Sequence, residues 1–325
     1  MLVAQTKMKQ WITAADAQKT NQFFCPGCGG PLVLKKGRVL SPHFAHEKKQ
    51  ACDSLSEGET SEHLALKQKL LAWGQASTPN WQLEEPLPAL NQRPDLLWEN
   101  LAVEIQCSPL AQARLAQRRE NYRQHDYHDW WLLGKKLWPN KRLTTLQKYF
   151  CDYTPHWGLH LWLIDEKRQQ VRLWSHLQES AVGLRYEVAV FPFFRRALAE
   201  LFYERPPIKR TPLVLSSALS NLQKEKFARG LQQKKTSLGK IQHFFYERHT
   251  HLLHLASWYY LPSSYQLFFG EQVIVLRYLF ATEGLNACQN YISAEPWFFP
   301  NIERKKILVK FAQETAYLMK KMKNF

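Results

Sequence analysis

Hydrophobic and polar positions change their period several times along this chain, and the changes mark out its elements. Over 101–107 apolar and polar side chains alternate as in a strand, so Glu104 and Gln106 share one face and Val103 and Ile105 the other. Residues 95–98 read as the preceding strand, joined through a Glu99-Asn100 turn. Ahead of this hairpin a helical pattern begins at Glu59 and runs through Leu70, Leu71 and Ala72. Thr60 or Ser61 is its expected cap and the Gly74 region its expected end. Residues 81–85 supply a short first strand, 109–124 a second helix, and the apolar run 130–133 a buried central strand before Gly134. The predicted order over 57–135 is helix, strand, strand, strand, helix, strand.

Beyond Pro155 the pattern shifts. Residues 159–164 and 171–174, joined by the polar loop 165–170, predict a β-hairpin. From Pro192 the period is helical, with Phe193, Ala197, Leu198, Leu201 and Phe202 in step until Pro206-Pro207 breaks the run. Further helices are expected over about 213–231, 236–256, 271–291 and 302–323. No internal repeat or long low-complexity stretch is evident. The expected organisation is a small N-terminal domain (1–55), an α/β domain (56–152) and a basic, mainly helical C-terminal domain (153–325).

Candidate chemistry concentrates in the α/β part. Asp95 on one strand and Glu104 with Gln106 on the next can point at one spot. Two carboxylates and a polar third group there can hold a hard divalent cation with open water positions, as metal-assisted phosphodiester cleavage requires. Arg93-Pro94-Asp95 followed by Glu104-Ile105-Gln106 has the spacing of a PD-(D/E)xK nuclease core, and αβββαβ is the element order of a restriction-endonuclease-like fold. Gln106 stands where that motif has lysine. The plainer alternative is that Asp95 and Glu104 are solvated residues beside a tight turn. Glu59, His63 and Lys67 are spaced by four and stack on one helix face if the helix includes Glu59. The acid could add a metal or water contact and the His or Lys meet a phosphate oxygen. An exposed face with a Glu–His pair is the alternative.

The run Cys25-Pro-Gly-Cys28-Gly-Gly is a tight turn of the zinc-knuckle kind. With His43 or His46 and Cys52 it would complete a closed tetrahedral site suited to structural Zn²⁺. His46 is favoured, because His43 follows Pro42 and can face the nuclease pocket instead. A redox reading of Cys-x-x-Cys lacks the βαβ context of thioredoxins. The remaining cysteines, Cys107, Cys151 and Cys288, lie in apolar or aromatic surroundings where buried thiols are common. The start of the sequence lacks the apolar core of a signal peptide, and no apolar run approaches the roughly 18 residues of a membrane helix. A cytoplasmic protein with reduced thiols and no membrane insertion is expected.

A formal net charge of +16 over 325 residues then points outward. Nucleic acid is the natural partner of such a surface, because neutralising phosphates releases counterions; an anionic membrane surface is the rival. Arg114, Arg118, Arg119 and Arg123 form stripes on the second predicted helix. Lys224, Lys226, Arg229, Lys234, Lys235 and Lys240, and the basic C-terminal helix, suggest that the second half holds DNA or docks a partner. Phe244, Phe245, Tyr246 and His249 either stack on the bases of a single strand or pack the helical domain.

Several of these motifs recur in one order: Cys-x-x-Cys at 25–28, His43-Phe-Ala-His46, Glu59-x-x-x-His63-x-x-x-Lys67, Arg93-x-Asp95, Glu104-Ile-Gln-Cys-Ser108, Arg118-x-x-x-Tyr122 and Trp130-Trp-Leu-Leu-Gly134. Over roughly 20–150 the chain resembles the CoiA competence proteins of Gram-positive bacteria. The resemblance implies a nuclease-like protein needed for transformation that acts on incoming DNA. It points to Glu59, His63, Lys67, Asp95, Glu104 and Gln106 as the catalytic set, with Asp95 and Glu104 on Mg²⁺ or Mn²⁺, and to Arg118 and Tyr122 at the DNA. Gln106 agrees with the family and departs from the wider nuclease superfamily: a neutral amide only hydrogen-bonds, and Lys67 could supply the missing cation from the helix. The expected function is a metal-dependent DNA nuclease acting on single-stranded or branched DNA, together with a RecA-type recombinase or other competence proteins. The alternative is a non-catalytic accessory that presents single-stranded DNA to the recombinase. A transcription regulator is the weakest reading, since no helix-turn-helix or tandem-finger pattern accompanies the single ribbon.

Overall fold

Strand alternation and turn chemistry build a five-stranded antiparallel sheet at the N-terminus, in the order β2-β1-β3-β4-β5, from β1 (Val3–Thr6), β2 (Trp11–Thr13), β3 (Phe23–Phe24), β4 (Pro31–Lys35) and β5 (His43–His46). This computed structural model describes residues 1–37, 41–47, 59–180, 183–204, 208–209 and 216–322. One face of the sheet is closed by Ala4, Phe23, Leu32, Leu34 and Phe44. Between β3 and β4 the chain turns at Cys25–Gly30, where the Cys25 N–H donates to the Gly30 carbonyl and the Gly29 N–H to the Cys25 carbonyl, 2.8 Å each. Gly29 has φ +68°, a left-handed conformation that glycine adopts without a Cβ clash.

The elements that follow are α1 (Ser61–Ser77), β6 (Gln82–Leu83), β7 (Leu96–Trp98), β8 (Leu101–Gln106), α2 (Gln112–Gln124) and β9 (His128–Leu133), in the order expected. They give a mixed α/β architecture. Strands β6, β7 and β8 run antiparallel, and β8 pairs parallel with β9. Every residue of β8 is buried, so both faces of this strand are covered and its charged and amide side chains lie inside the protein. The N-terminal sheet is joined to this part of the molecule: Leu2 and Val3 pack with Leu64 of α1 in one buried cluster, with Leu83 against it.

Helix α1 starts at Ser61, two residues later than the pattern suggested. Thr60 is its cap, with Oγ1 accepting from the His63 N–H at 3.2 Å, and Glu59 precedes it. Gly74 does not end the helix, which runs on to Ser77. A Cβ at Gly74 would lie 2.7 Å from the Trp81 ring, so this glycine makes room for an indole. Gly74→Ala should therefore destabilise the protein by about 1–3 kcal/mol, as overpacking does, despite the better helix propensity of alanine. A shift in the urea midpoint is the measurement.

The sheet continues past the predicted core. It includes β11 (Gly158–Asp165), β12 (Gln170–Ser180) and β13 (Gly183–Pro192) in the overall order β13-β12-β11-β9-β8-β7-β6, with β10 (Asp152–Thr154) paired to β11. The hairpin expected over 159–174 is present with a longer second strand, and β13 is an addition the pattern reading did not anticipate. The chain divides into two compact units, one of residues 1–138, 162–173 and 188–207, the other of 139–161, 174–187 and 208–325.

The second unit contains α3 (Thr145–Phe150) and, after α4 (Leu198–Tyr203) of the first unit, the helices α5 (Ser217–Gln232), α6 (Thr236–Tyr246), α7 (Gln266–Phe269), α8 (Val273–Thr282), α9 (Leu285–Ser293) and α10 (Arg304–Met322). The helix expected over 236–256 stops at Tyr246, where His249 turns left-handed and the Thr250 N–H returns to the Phe245 carbonyl. The one expected over 271–291 breaks at Gly284, φ +87°. Phe244 and Phe245 are packed edge-on against Tyr278, so of the proposed stacking residues these two belong to the core; Tyr246 remains exposed. Among the described residues no helix is long and apolar enough to cross a membrane.

Candidate functional site

The hairpin β7–β8 sets the site. Its register places Leu96 opposite Val103, so Asp95, one residue before β7, comes alongside Glu104. The Ile105 N–H donates to Asp95 Oδ2 at 2.7 Å, which fixes the carboxylate on the strand. Helix α1 lies across this end and delivers two more groups at i and i+4. His63 Nε2 sits 2.9 Å from Asp95 Oδ2, and Lys67 Nζ sits 2.8 Å from Asp95 Oδ1. Glu59, although outside the helix, also reaches the Lys67 ammonium. The six residues Glu59, His63, Lys67, Asp95, Glu104 and Gln106 thus line one small polar cleft of about 40 Å³, with Arg93 and Arg118 at its wall.

Burial sets the electrostatics here. It alone would raise the Asp95 carboxyl, but His63 and Lys67 hold it well below the usual carboxylate range. Burial also works against Glu59, and Lys67 again prevails, leaving it at about 2. The Lys67 side chain is nearly inaccessible, and burial would strip its proton; Asp95, Glu84 and Glu59 instead raise it well above an ordinary lysine. Glu104 goes the other way. Burial pushes it up to about 7, with the Asp95 charge adding to the rise and Arg118 only partly opposing it.

Glu104 is held from α2. Arg118 Nη2 and the Tyr122 hydroxyl both donate to its Oε1, the latter at 2.5 Å. The Arg118 guanidinium lies 5.3 Å over the Trp131 ring. Tyr122 is fully buried and presents no surface to a DNA strand; the structure makes it a support of Glu104. Arg118 keeps an edge on the cleft. The Gln106 amide donates to the Ser108 carbonyl at 2.7 Å, which orients it at the rim. Cys107 beside it is buried, its thiol pushed up to about 12 by desolvation, and Cys151 and Cys288 are buried as expected.

One participant escaped the sequence reading. Glu84 is 1 % exposed, and its Oε1 accepts from Lys67 Nζ at 2.8 Å. Nothing in Leu83-Glu84-Glu85-Pro86 separates this acid from its neighbour; only the fold brings it to Lys67.

A second group lies in the N-terminal sheet. One ligand atom from each of Cys25, Cys28 and His46 falls within 4.8 Å of the others, and Cys28 Sγ is 3.4 Å from His46 Nε2. Burial, helped by Arg93, lowers the His46 imidazole and so favours the neutral form a metal requires. His43 stands apart from this group, its Nδ1 2.8 Å from the Ser41 carbonyl. Cys52 lies outside the described residues. Two sulfurs and an imidazole nitrogen converging on one point could hold a metal ion.

Two family matches cover these regions: residues 59–206 match "Competence protein CoiA, nuclease-like domain" and residues 5–55 match "Competence protein CoiA, N-terminal domain". The competence protein CoiA of Bacillus subtilis (strain 168) is 31% identical over 198 residues, which is 58% of this chain and 52% of that protein. The chain thus spans about half the length of the curated relative it matches. No solved structure matches.

Proposed function

The chain belongs to the CoiA competence-protein family, and from that premise we propose that its nuclease-like region is a PD-(D/E)xK-type, metal-dependent DNA nuclease acting on incoming DNA. The observation that carries this reading is the convergence of His63 and Lys67 of α1 with Asp95, Glu104 and Gln106 of the hairpin in one polar cleft. Asp95 and Glu104 offer the hard oxygens that Mg²⁺ or Mn²⁺ takes. Their surroundings suit such an ion: a buried carboxyl pushed up to about 7 is one whose negative charge the protein's own cations leave under-compensated. Bound there, the ion would acidify a water molecule and polarise the phosphodiester.

The remaining roles fall to the chain's own groups. Lys67, fixed among carboxylates, supplies positive charge where the wider motif has its lysine. His63 bridges Asp95 and the cleft, Gln106 hydrogen-bonds at the rim, and Glu59 holds Lys67 from the other side. Single-stranded or branched DNA, drawn by the +16 charge, is the proposed substrate. A RecA-type recombinase or another competence protein is the proposed partner, and the cytoplasm the proposed place. The deciding experiment is incubation with end-labelled single-stranded, duplex and branched DNA, with and without Mn²⁺ or Mg²⁺; no metal-dependent product on any of the three would sink the nuclease reading.

A second reading has its own support. Arg118 and Tyr122 already occupy a Glu104 oxygen, and the Gln106 amide is turned to the Ser108 carbonyl. A protein whose Glu104 oxygen is already held by its own donors could bind DNA without cutting it and hand single strands to a recombinase. In that case binding would be salt-sensitive and indifferent to divalent metal.

The Glu104 proton gives a pH test. Its pKa is raised, so below about 7 the carboxyl is neutral and a metal must displace a proton to bind. Mn²⁺ affinity measured by calorimetry should rise by about tenfold per pH unit below that point and flatten above it. In Glu104→Gln the slope should disappear. For the N-terminal sheet we propose structural Zn²⁺ on Cys25, Cys28 and His46, with Cys52 as the fourth ligand. Elemental analysis should find about one zinc per chain, and Cys28→Ser should lose it.

A further inference from the structure

Glu84 is a buried acid whose carboxylate is bonded to two separate parts of the chain. Besides the Lys67 ammonium, its carboxylate accepts from the backbone N–H groups of Leu2 (3.0 Å) and Val3 (3.2 Å) at the start of β1. Arg93 Nη1 stands 4.0 Å from Oε2. The Glu84 backbone N–H donates to the Asp95 carbonyl at 3.1 Å. One residue is thus bonded to strand β1, to the ammonium on Asp95 and to the main chain of Asp95 itself. It does this with φ +53°, in the left-handed region that few residues with a Cβ adopt.

We propose that Glu84 is a positioning residue: it holds Lys67 against Asp95 and couples the seating of strand β1 to the geometry of the cleft. Its carboxylate has two oxygens and shares them between the ammonium and two amides, so loosening either side shifts the other. This goes beyond the nuclease reading in assigning a residue and a coupling, and rests on that reading only where turnover is measured.

The test is a double-mutant cycle read by amide exchange of Leu2 and Val3, followed by NMR on ¹⁵N-leucine- and ¹⁵N-valine-labelled full-length protein. Lys67 touches neither amide, yet Lys67→Met should accelerate exchange at both by about tenfold while Leu34 in β4 stays unchanged. In the Glu84→Gln background the same substitution should add nothing. Unchanged exchange in Lys67→Met, or additive effects in the double variant, would overturn the proposal. Should Lys67→Met fail to fold, Glu84→Gln decides it through reductive methylation, mapped by mass spectrometry. Lys67 should react about tenfold faster relative to Lys69 than in wild type, and an unchanged ratio overturns the coupling. If the wild type cuts DNA, Glu84→Gln should lower kcat with KM unchanged; if it does not, exchange and methylation still decide, and only the nuclease reading falls.

Discussion

Asp95→Asn should leave DNA binding near the wild-type level and slow metal-dependent cleavage by on the order of 10³-fold. The expectation follows from how many things Asp95 does at once. It accepts from the Ile105 N–H and pairs with both His63 and Lys67, all while buried beside Glu104. Asparagine preserves volume and one acceptor oxygen but removes the charge that both a divalent cation and the Lys67 ammonium require. Electrophoretic cleavage assays and anisotropy on the same DNA separate the two effects. A variant that cuts at the wild-type rate would remove Asp95 from the catalytic set. A wild type that binds without cutting, matched by its variant, would favour the accessory reading.

Lys67→Met should destabilise the protein by about 3–5 kcal/mol. The ammonium is bonded to Glu59, Glu84 and Asp95, and methionine fills the space while leaving the buried Glu84 and Asp95 and the half-buried Glu59 without it. The sign of the pH dependence follows from Glu59. Its folded pKa, about 2, lies below the ordinary 4.5, so its contribution is complete above 4.5 and is lost as pH falls toward 2. The gap between wild type and variant should accordingly be widest near neutrality and shrink as pH falls through 4.5 toward 2, because the carboxyls that have lost Lys67 take up protons before those of the wild type. Urea denaturation at pH 7 and pH 3.5 measures both numbers, and a gap that widens in acid would contradict the pairing.

The hairpin and the grouping of its polar side chains were legible because strand alternation fixes which side chains share a face. Asp95, Glu104 and Gln106 meet as that period requires, and a spacing of four along α1 brought His63 and Lys67 to them. Cys25, Cys28 and His46 were legible for a similar reason, since a tight turn and a neighbouring strand bring donors together locally. Glu84 was not, because its meaning depends on contacts 17 residues away at Lys67 and 82 away at Leu2. Tyr122 illustrates the opposite failure. Motif spacing located it beside the site but could not tell a group facing DNA from one buried behind a carboxylate. Gly74 read as a helix stop because glycine usually is one, while its partner Trp81 sits beyond the end of the helix. Strand β13 did carry a signal: Leu184, Tyr186, Val188 and Val190 alternate with Arg185, Glu187 and Ala189.

Strand β1 sits in the N-terminal sheet by hydrogen bonding, yet Leu2 and Val3 are packed into the cluster with Leu64, next to Leu83. Domain shuffling has to respect that. A chimaera that takes 1–55 from one family member and the remainder from another would be mismatched at this buried cluster. Exchanging residues 7–55 and keeping 1–6 with the recipient preserves the packing, and the recipient's own strand then serves as the template on which a foreign sheet is assembled.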